Sequence, residues 1–181
     1  MQTLWLFIGR LNPPHKGHLS IIDKALEEND KILLLIGVCN IQNLENPLNF
    51  EEIRDILFKK YKKIKKLKIL PLEDNSSDLV WIQNIKKILD KFWDWIVNIN
   101  FYWGDFKTDS AYIVIKQYQD ELRDYIFTYI EVPRKKSFIE FAWKNYAVSS
   151  TNLRQALREW NISLAEKFMD KNMFKEIESF F

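Results

Sequence analysis

Both histidines of this chain, His15 and His18, fall in one run, Gly9-Arg-Leu-Asn-Pro-Pro-His-Lys-Gly-His18, which also holds two of its four glycines. Three positions apart at a helix start, the two imidazoles point the same way. Gly17 between them lets a backbone or a phosphate come close. Such a pair has three uses. A zinc site would need a third ligand, and a closed one a fourth, which only Cys39 and scattered carboxylates could supply. A structural pair would accept backbone N–H bonds at the helix N-terminus. Polyphosphate binding fits best, because a strand that turns through glycine and proline into a helix presents N–H donors and side chains to an anion.

A second run, Val148-Ser-Ser-Thr-Asn-Leu-Arg154, has related chemistry. Ser149, Ser150 or Thr151 can cap a helix and leave N–H groups for an anion. Arg154 sits one turn inside, directed back toward that end, where a guanidinium fork can grip phosphate oxygens. Taken alone, the run also fits an ordinary capped helix with a surface arginine.

Positioning these groups requires elements that the hydrophobic pattern supplies. Thr3 to Ile8 is an apolar run of strand length, and Leu19 to Leu26 reads as a helix. Lys31 to Val38 is continuously apolar, as expected of a strand buried on both faces, and Gly37 near its end implies close approach of another group. After an Asn-rich loop, Ile53, Ile56, Leu57 and Tyr61 mark the buried face of a second helix, with Glu51 and Glu52 in its first turn. Leu67 to Leu72 is a third strand. Asp78 is the predicted cap of a helix buried along Ile82, Ile85, Leu89 and Phe92. A fourth strand is expected within Trp95 to Trp103, a helical stretch from Ser110 to Leu122, and a fifth strand over Tyr125 to Val132. From Ser149 the pattern is helical, with core stripes at Leu153, Ala156, Leu157 and Trp160, then Leu164, Phe168 and Met169, then Met173, Ile177 and Phe180.

Strands alternating with helices in this way predict an α/β fold. It is a Rossmann-like, doubly wound parallel five-stranded sheet with helices on both faces and a C-terminal helical extension over about 149–181. The expectation is one domain over 1–181, with ligands at the C-terminal ends of the strands.

Composition narrows the function classes. An apolar content of 47% and seven Trp argue against disorder. The net charge of +2 indicates neither a nucleic-acid nor a membrane partner. The Lys59 to Lys68 run reads as the solvated end of a helix and the turn after it. A single cysteine allows no intrachain disulfide and suits a reducing cytoplasm, and no stretch approaches the length of a membrane span.

The Gly9–His18 run resembles the GRFxPxHxGH signature of the HxGH nucleotidyltransferase superfamily, in particular its nicotinamide-mononucleotide adenylyltransferase branch, with Leu11 and Asn12 for the commoner Phe and Gln. Val148–Arg154 resembles its second signature, ISSTxxR. Between them, Asn46 to Arg54 is similar in part to the NPFxxxER segment of the archaeal-type enzymes, and Pro71 to Asp74 with Trp81 is similar to their PLxD…W segment. Gly104 to Tyr112 resembles the adenylyltransferase half of bacterial enzymes fused to a Nudix hydrolase.

The resemblance implies transfer of AMP from ATP to nicotinamide mononucleotide (NMN), giving NAD and pyrophosphate. It implies His15, His18 and Arg154 as catalytic. Gly9, Arg10, Lys16, Gly17, Gly104, Ser149, Ser150 and Thr151 would bind nucleotide, and Arg54, Asp74 and Trp81 the acceptor. Trp81 would stack on the cationic nicotinamide ring, although a buried core Trp remains its alternative. Mg2+ would be carried by the ATP phosphates with no protein metal site. Homo-oligomerisation stays open. The rival readings are transfer to phosphopantetheine, glycerol phosphate or another phosphate ester, and a non-catalytic nucleotide-sensing or RNA-associated module.

Overall fold

Successive residues of a strand face opposite sides of a sheet, so a continuously apolar strand must be covered twice. In the computed structural model, which describes residues 3–39, 41–92, 98–103, 109–132 and 138–177, β1 (Thr3–Gly9) and β2 (Lys31–Val38) meet this condition. Trp5 and Phe7 of β1, with Ile32, Leu34 and Ile36 of β2, enter one buried cluster. Leu4, Leu6 and Ile8, with Leu33 and Leu35, enter a second.

The remaining strands of the sheet are β3 (Leu67–Glu73), β4 (Asn98–Trp103) and β5 (Ile126–Glu131). All pair in parallel, in the order β3-β2-β1-β4-β5. Chain order reverses between β1 and β4, which opens a crevice at the C-terminal strand ends. Pro71 falls on β3, an edge strand, where a missing N–H is tolerated.

The first cluster is covered by α1 (Lys16–Glu28), α2 (Phe50–Tyr61), α5 (Ser150–Arg158), α6 (Ile162–Phe168) and α7 (Lys171–Ile177). The second is covered by α3 (Asp78–Phe92) and α4 (Ser110–Gln117), followed by a 3₁₀ turn at Gln119–Leu122. The predicted doubly wound α/β architecture is therefore observed. Asn49 caps α2 in a reciprocal box, its side chain accepting from the Glu52 N–H while Glu52 accepts from the Asn49 N–H. No helix among the described residues is long and apolar enough to cross a membrane.

Three expectations change. Asp78 is the first residue of α3 rather than its cap. Ser77 takes that role, its carbonyl accepting from the Trp81 N–H at 3.0 Å and its hydroxyl facing the Val80 N–H at 3.4 Å. Trp160 leaves the buried stripe and is 75% exposed. α5 ends before it in a left-handed turn, with Trp160 at φ 55, the Trp160 N–H bonded to Leu157 and the Asn161 N–H to Ala156. That is a Schellman ending with Trp where Gly is usual.

The third is a hairpin absent from the sequence reading, β6 (Phe138–Phe141) paired antiparallel with β7 (Lys144–Ala147). Its turn residues Ala142 and Trp143 lie at φ 49 and φ 64 without the Asn-Gly pair that normally announces such a turn. Ile82, Ile85 and Leu89 of the α3 stripe are buried as expected, whereas the Phe92 side chain, Phe180 and Gly104 lie outside the described residues.

The Lys59–Lys68 run behaves as a solvated helix end with local partners. Lys59 pairs with Glu176, Lys60 with Asp170 at 3.4 Å, and Lys66 donates to the carbonyls of Leu26 and Asn29 at the end of α1.

Candidate active site

The loop between β1 and α1 is shaped by its small and buried residues. Leu11 adopts φ 48, an unfavourable conformation for a branched side chain, and is held there by near-complete burial. Its Cδ1 lies 3.0 Å from where a Cβ on Gly9 would stand, so a side chain there would press on the buried Leu11. Asn12 is buried and fastens a second loop. Its Nδ2 donates to the Leu48 carbonyl at 2.7 Å, and its Oδ1 accepts from the Leu48 N–H at 3.0 Å.

His15 is the cap of α1. Its Nδ1 accepts from the Gly17 N–H at 3.1 Å, and its ring stacks on His18 with centroids 3.8 Å apart. A Cβ on Gly17 would stand 3.0 Å from the His15 ring, so this glycine makes room for the imidazole. His15 is 5% exposed and stands behind His18, whose ring also faces Phe7 at 6.4 Å.

The second signature is docked against this loop. Ser149 caps α5, accepting from the Asn152 N–H at 3.1 Å. The Ser150 hydroxyl donates to the Pro13 carbonyl at 2.9 Å, and Arg154 donates to the Asn12 carbonyl at 2.7 Å. Two segments more than 130 residues apart in sequence thus share a pair of direct bonds. Thr151 is exposed, with its hydroxyl 3.4 Å from the Arg154 guanidinium.

A cleft of ≈ 390 Å³ opens beside them at the C-terminal ends of β1, β2 and β3 and the starts of α3 and α4. Of the site residues that the resemblance implies, Gly9, Arg10, His18, Asp74 and Trp81 line it, together with Gly37. Arg10 and Asp74 meet across Gly37 at 3.1 Å. A Cβ on Gly37 would stand 3.4 Å from the Arg10 stem and 3.6 Å from the Asp74 carboxylate. The same Asp74 oxygen accepts from the Cys39 thiol at 3.3 Å. Burial first, and then that hydrogen bond, pushes the Cys39 thiol above its ordinary range, so it stays protonated as a donor.

Lys16, Gly17, His15, Ser149, Ser150, Thr151 and Arg154 are not on the cleft wall; they lie around the β1–α1 loop and the start of α5. Arg54 is the sequence candidate that the fold directs elsewhere. Its guanidinium pairs with the adjacent Asp55 at 3.0 Å and lies over the Phe50 ring, and it is not among the residues that line the cleft. Sequence reasoning missed Asp78 and Asp109 on the wall, and the clamping role of Asn12. Asp109 had a local signal, an acidic residue just before an apolar helical stretch, and it caps α4 by accepting from the Tyr112 N–H. Among the described residues, no group of three or more His, Cys, Asp or Glu side chains is arranged to hold a metal ion.

The family model for Cytidylyltransferase-like proteins matches residues 6–156, which takes in both signatures and all of the five-stranded sheet except the first three residues of β1. The chain belongs to this family. Among its cytidylyltransferase-like relatives, a nicotinamide-nucleotide adenylyltransferase of Thermoplasma acidophilum is 32% identical over 89 residues, 47% of this chain and 49% of that protein. One from Methanococcus vannielii is 29% identical over 141 residues, 77% of this chain and 80% of that protein. The solved structure of a bifunctional NMN adenylyltransferase/ADP ribose pyrophosphatase from Francisella tularensis, complexed with AMP and a manganese ion, has a TM-score of 0.68 and 26% identity. That match covers 93% of this chain and 44% of the other. The cytidylyltransferase-like chain described here thus spans about half the length of several proteins that it matches.

Proposed function

We propose that this protein is a nicotinamide-mononucleotide adenylyltransferase, which joins AMP from ATP to NMN and releases pyrophosphate. One observation carries the reading: the two signature segments are bonded to each other beside a cleft whose wall includes His18, Arg10, Asp74 and Trp81. The names of the relatives add weight to it.

In this reading an oxygen of the NMN phosphate forms a bond to the α-phosphorus of ATP while the bond from that phosphorus to the β-bridging oxygen breaks, its electron pair leaving with pyrophosphate. The attacking phosphate is already anionic, so no general base is required. Catalysis comes from alignment and from neutralising charge as it develops. His18 would face the α-phosphate from the cleft wall, backed by the His15 ring. Arg154, Lys16 and the start of α5 at Ser149 to Thr151 would take the triphosphate, with Gly17 leaving the loop bare beside it, and Arg10 would bind phosphate in the same cleft. Asp74 and Trp81 would hold the nicotinamide riboside.

The Arg10–Asp74 pair is largely open to solvent, with side chains 60% and 37% exposed, and such pairs contribute only about 0–1 kcal/mol. A ligand can part it at small cost. Asp74 is already engaged by Arg10 and Cys39, and the described carboxylates do not form a metal cage, so a divalent cation such as Mg2+ fits best on the phosphates themselves. When bound there it neutralises phosphate charge. A cytoplasmic setting, with ATP and NMN as the partners, suits a chain whose single cysteine allows no intrachain disulfide.

The test is direct. Purified protein with ATP, Mg2+ and NMN should form NAD and pyrophosphate in equal amounts. Pyrophosphate release with a different phosphate ester, but none with NMN, would overturn the acceptor. Trp81→Ala should raise the KM for NMN about 3- to 30-fold, the range of a partly desolvated cation–π contact, and change the KM for ATP much less. Equal effects on both substrates would make Trp81 a packing residue only.

A further inference from the structure

Arg154 carries a carboxylate where the proposed function needs a phosphate. Its side chain is 10% exposed, and its NH2 group bonds Glu45 Oε2 at 2.7 Å while NH1 holds the Asn12 carbonyl. The other Glu45 oxygen lies 3.8 Å from Arg158, one turn further along α5, and Arg158 also donates to the Leu44 carbonyl. One exposed carboxylate thus faces two guanidinium groups, an arrangement suited equally to a phosphate with its several acceptor oxygens.

The segment that delivers Glu45 is built to be moved. Its conformation is maintained locally, by the Asn43 side chain accepting from the N–H groups of Glu45 and Asn46 at 2.9 Å each. Apolar packing contributes little there, since Ile41 and Leu44 are each 73% exposed. The segment is tied to α2 through Gln42 and Glu52 at 3.0 Å, Asn46 is buried beside Glu45, and the firmest attachment comes at Leu48, where Asn12 makes its two bonds and the side chain is buried. Glu45 therefore sits on a short, weakly packed strap whose fixed end is bonded to the same β1–α1 loop that Arg154 holds.

We propose that Glu45 is a resident stand-in for a phosphate on Arg154, and that a nucleoside triphosphate must displace it, releasing the 41–47 strap. The inference rests on the reading of Arg154 as a triphosphate ligand. It makes Glu45 a positioning residue that keeps the buried guanidinium paired and aligned before substrate arrives. Its cost is a competition that weakens nucleotide affinity.

The experiment titrates Mg-ATP, and separately adenosine, into the wild-type protein, Glu45→Gln and Arg154→Ala by calorimetry, and follows hydrogen exchange of residues 41–47 with and without Mg-ATP. Glu45→Gln should bind Mg-ATP about two- to fivefold tighter, the scale of a partly exposed ion pair, with adenosine affinity unchanged. In the wild type, Mg-ATP should speed exchange across the strap although ligands usually slow it. Unchanged or weaker Mg-ATP binding by Glu45→Gln, or slower exchange across 41–47, overturns the proposal. If Arg154→Ala nonetheless loses Mg-ATP affinity, the phosphate role of Arg154 survives that result. If Arg154→Ala binds Mg-ATP as the wild type does, the underlying reading fails and the strap fails with it.

Discussion

His18→Ala is expected to lower kcat for NAD formation by about 10²- to 10³-fold and to leave the protein folded, the loss typical of deleting one group that stabilises charge in a transition state. The imidazole lies on the cleft wall against the His15 ring and Phe7, and those neighbours are anchored independently of it, His15 by the Gly17 N–H and Phe7 by β1. Steady-state kinetics beside a melting curve make the check. A kcat within a fewfold of wild type would remove His18 from the chemistry. His15→Ala should behave differently. It deletes the side-chain cap on the Gly17 N–H as well as the ring behind His18, so it should cost about 0.5–2 kcal/mol of stability together with activity. The two imidazoles look equivalent in the sequence, and the pair of variants would separate them.

Trp5→Ala is expected to cost about 3–5 kcal/mol, a large share of the roughly 5–15 kcal/mol that holds a domain together. Trp5 has no exposed surface, and its ring lies 5.8 Å from Phe7 and 5.4 Å from Tyr102, under the helices that carry both signature segments. Trp5→Phe should be far milder, within about 1 kcal/mol. The buried indole N–H has no hydrogen-bond partner among the described residues, so exchanging it for phenylalanine removes an unsatisfied donor while keeping most of the apolar contact. Urea unfolding of the three proteins distinguishes these cases. Equal losses for both variants would mean that indole volume, rather than ring burial, sustains the cluster.

The architecture was legible because its period is written locally. The Lys31–Val38 run must be covered on both faces, and Ile53, Ile56, Leu57 and Tyr61 recur at helical spacing, so strand and helix assignments follow from the chain alone. The hairpin at Phe138–Ala147 was not legible, since Ala142 and Trp143 adopt left-handed conformations that neither residue type favours. Trp160 misled for a related reason. Its position continues the helical stripe, while the turn that ends α5 swings it into solvent.

By itself the sequence determined the alternation of strands and helices and the two phosphate-type segments, because each depends on residue type, spacing and order, while Gly9, Arg10, Asp74 and Trp81 became site candidates through the resemblance of their motifs to a family. Only the tertiary structure decided how these segments meet. It bonds Ser150 and Arg154 to the β1–α1 loop, puts His15 behind His18, joins Arg10 to Asp74 across Gly37, directs Arg54 to Asp55, and seats Glu45 on Arg154. The physical reason is that a charged side chain takes whichever partner the fold brings within reach. That choice is made between residues up to 142 positions apart, such as Asn12 and Arg154, and no local pattern encodes it.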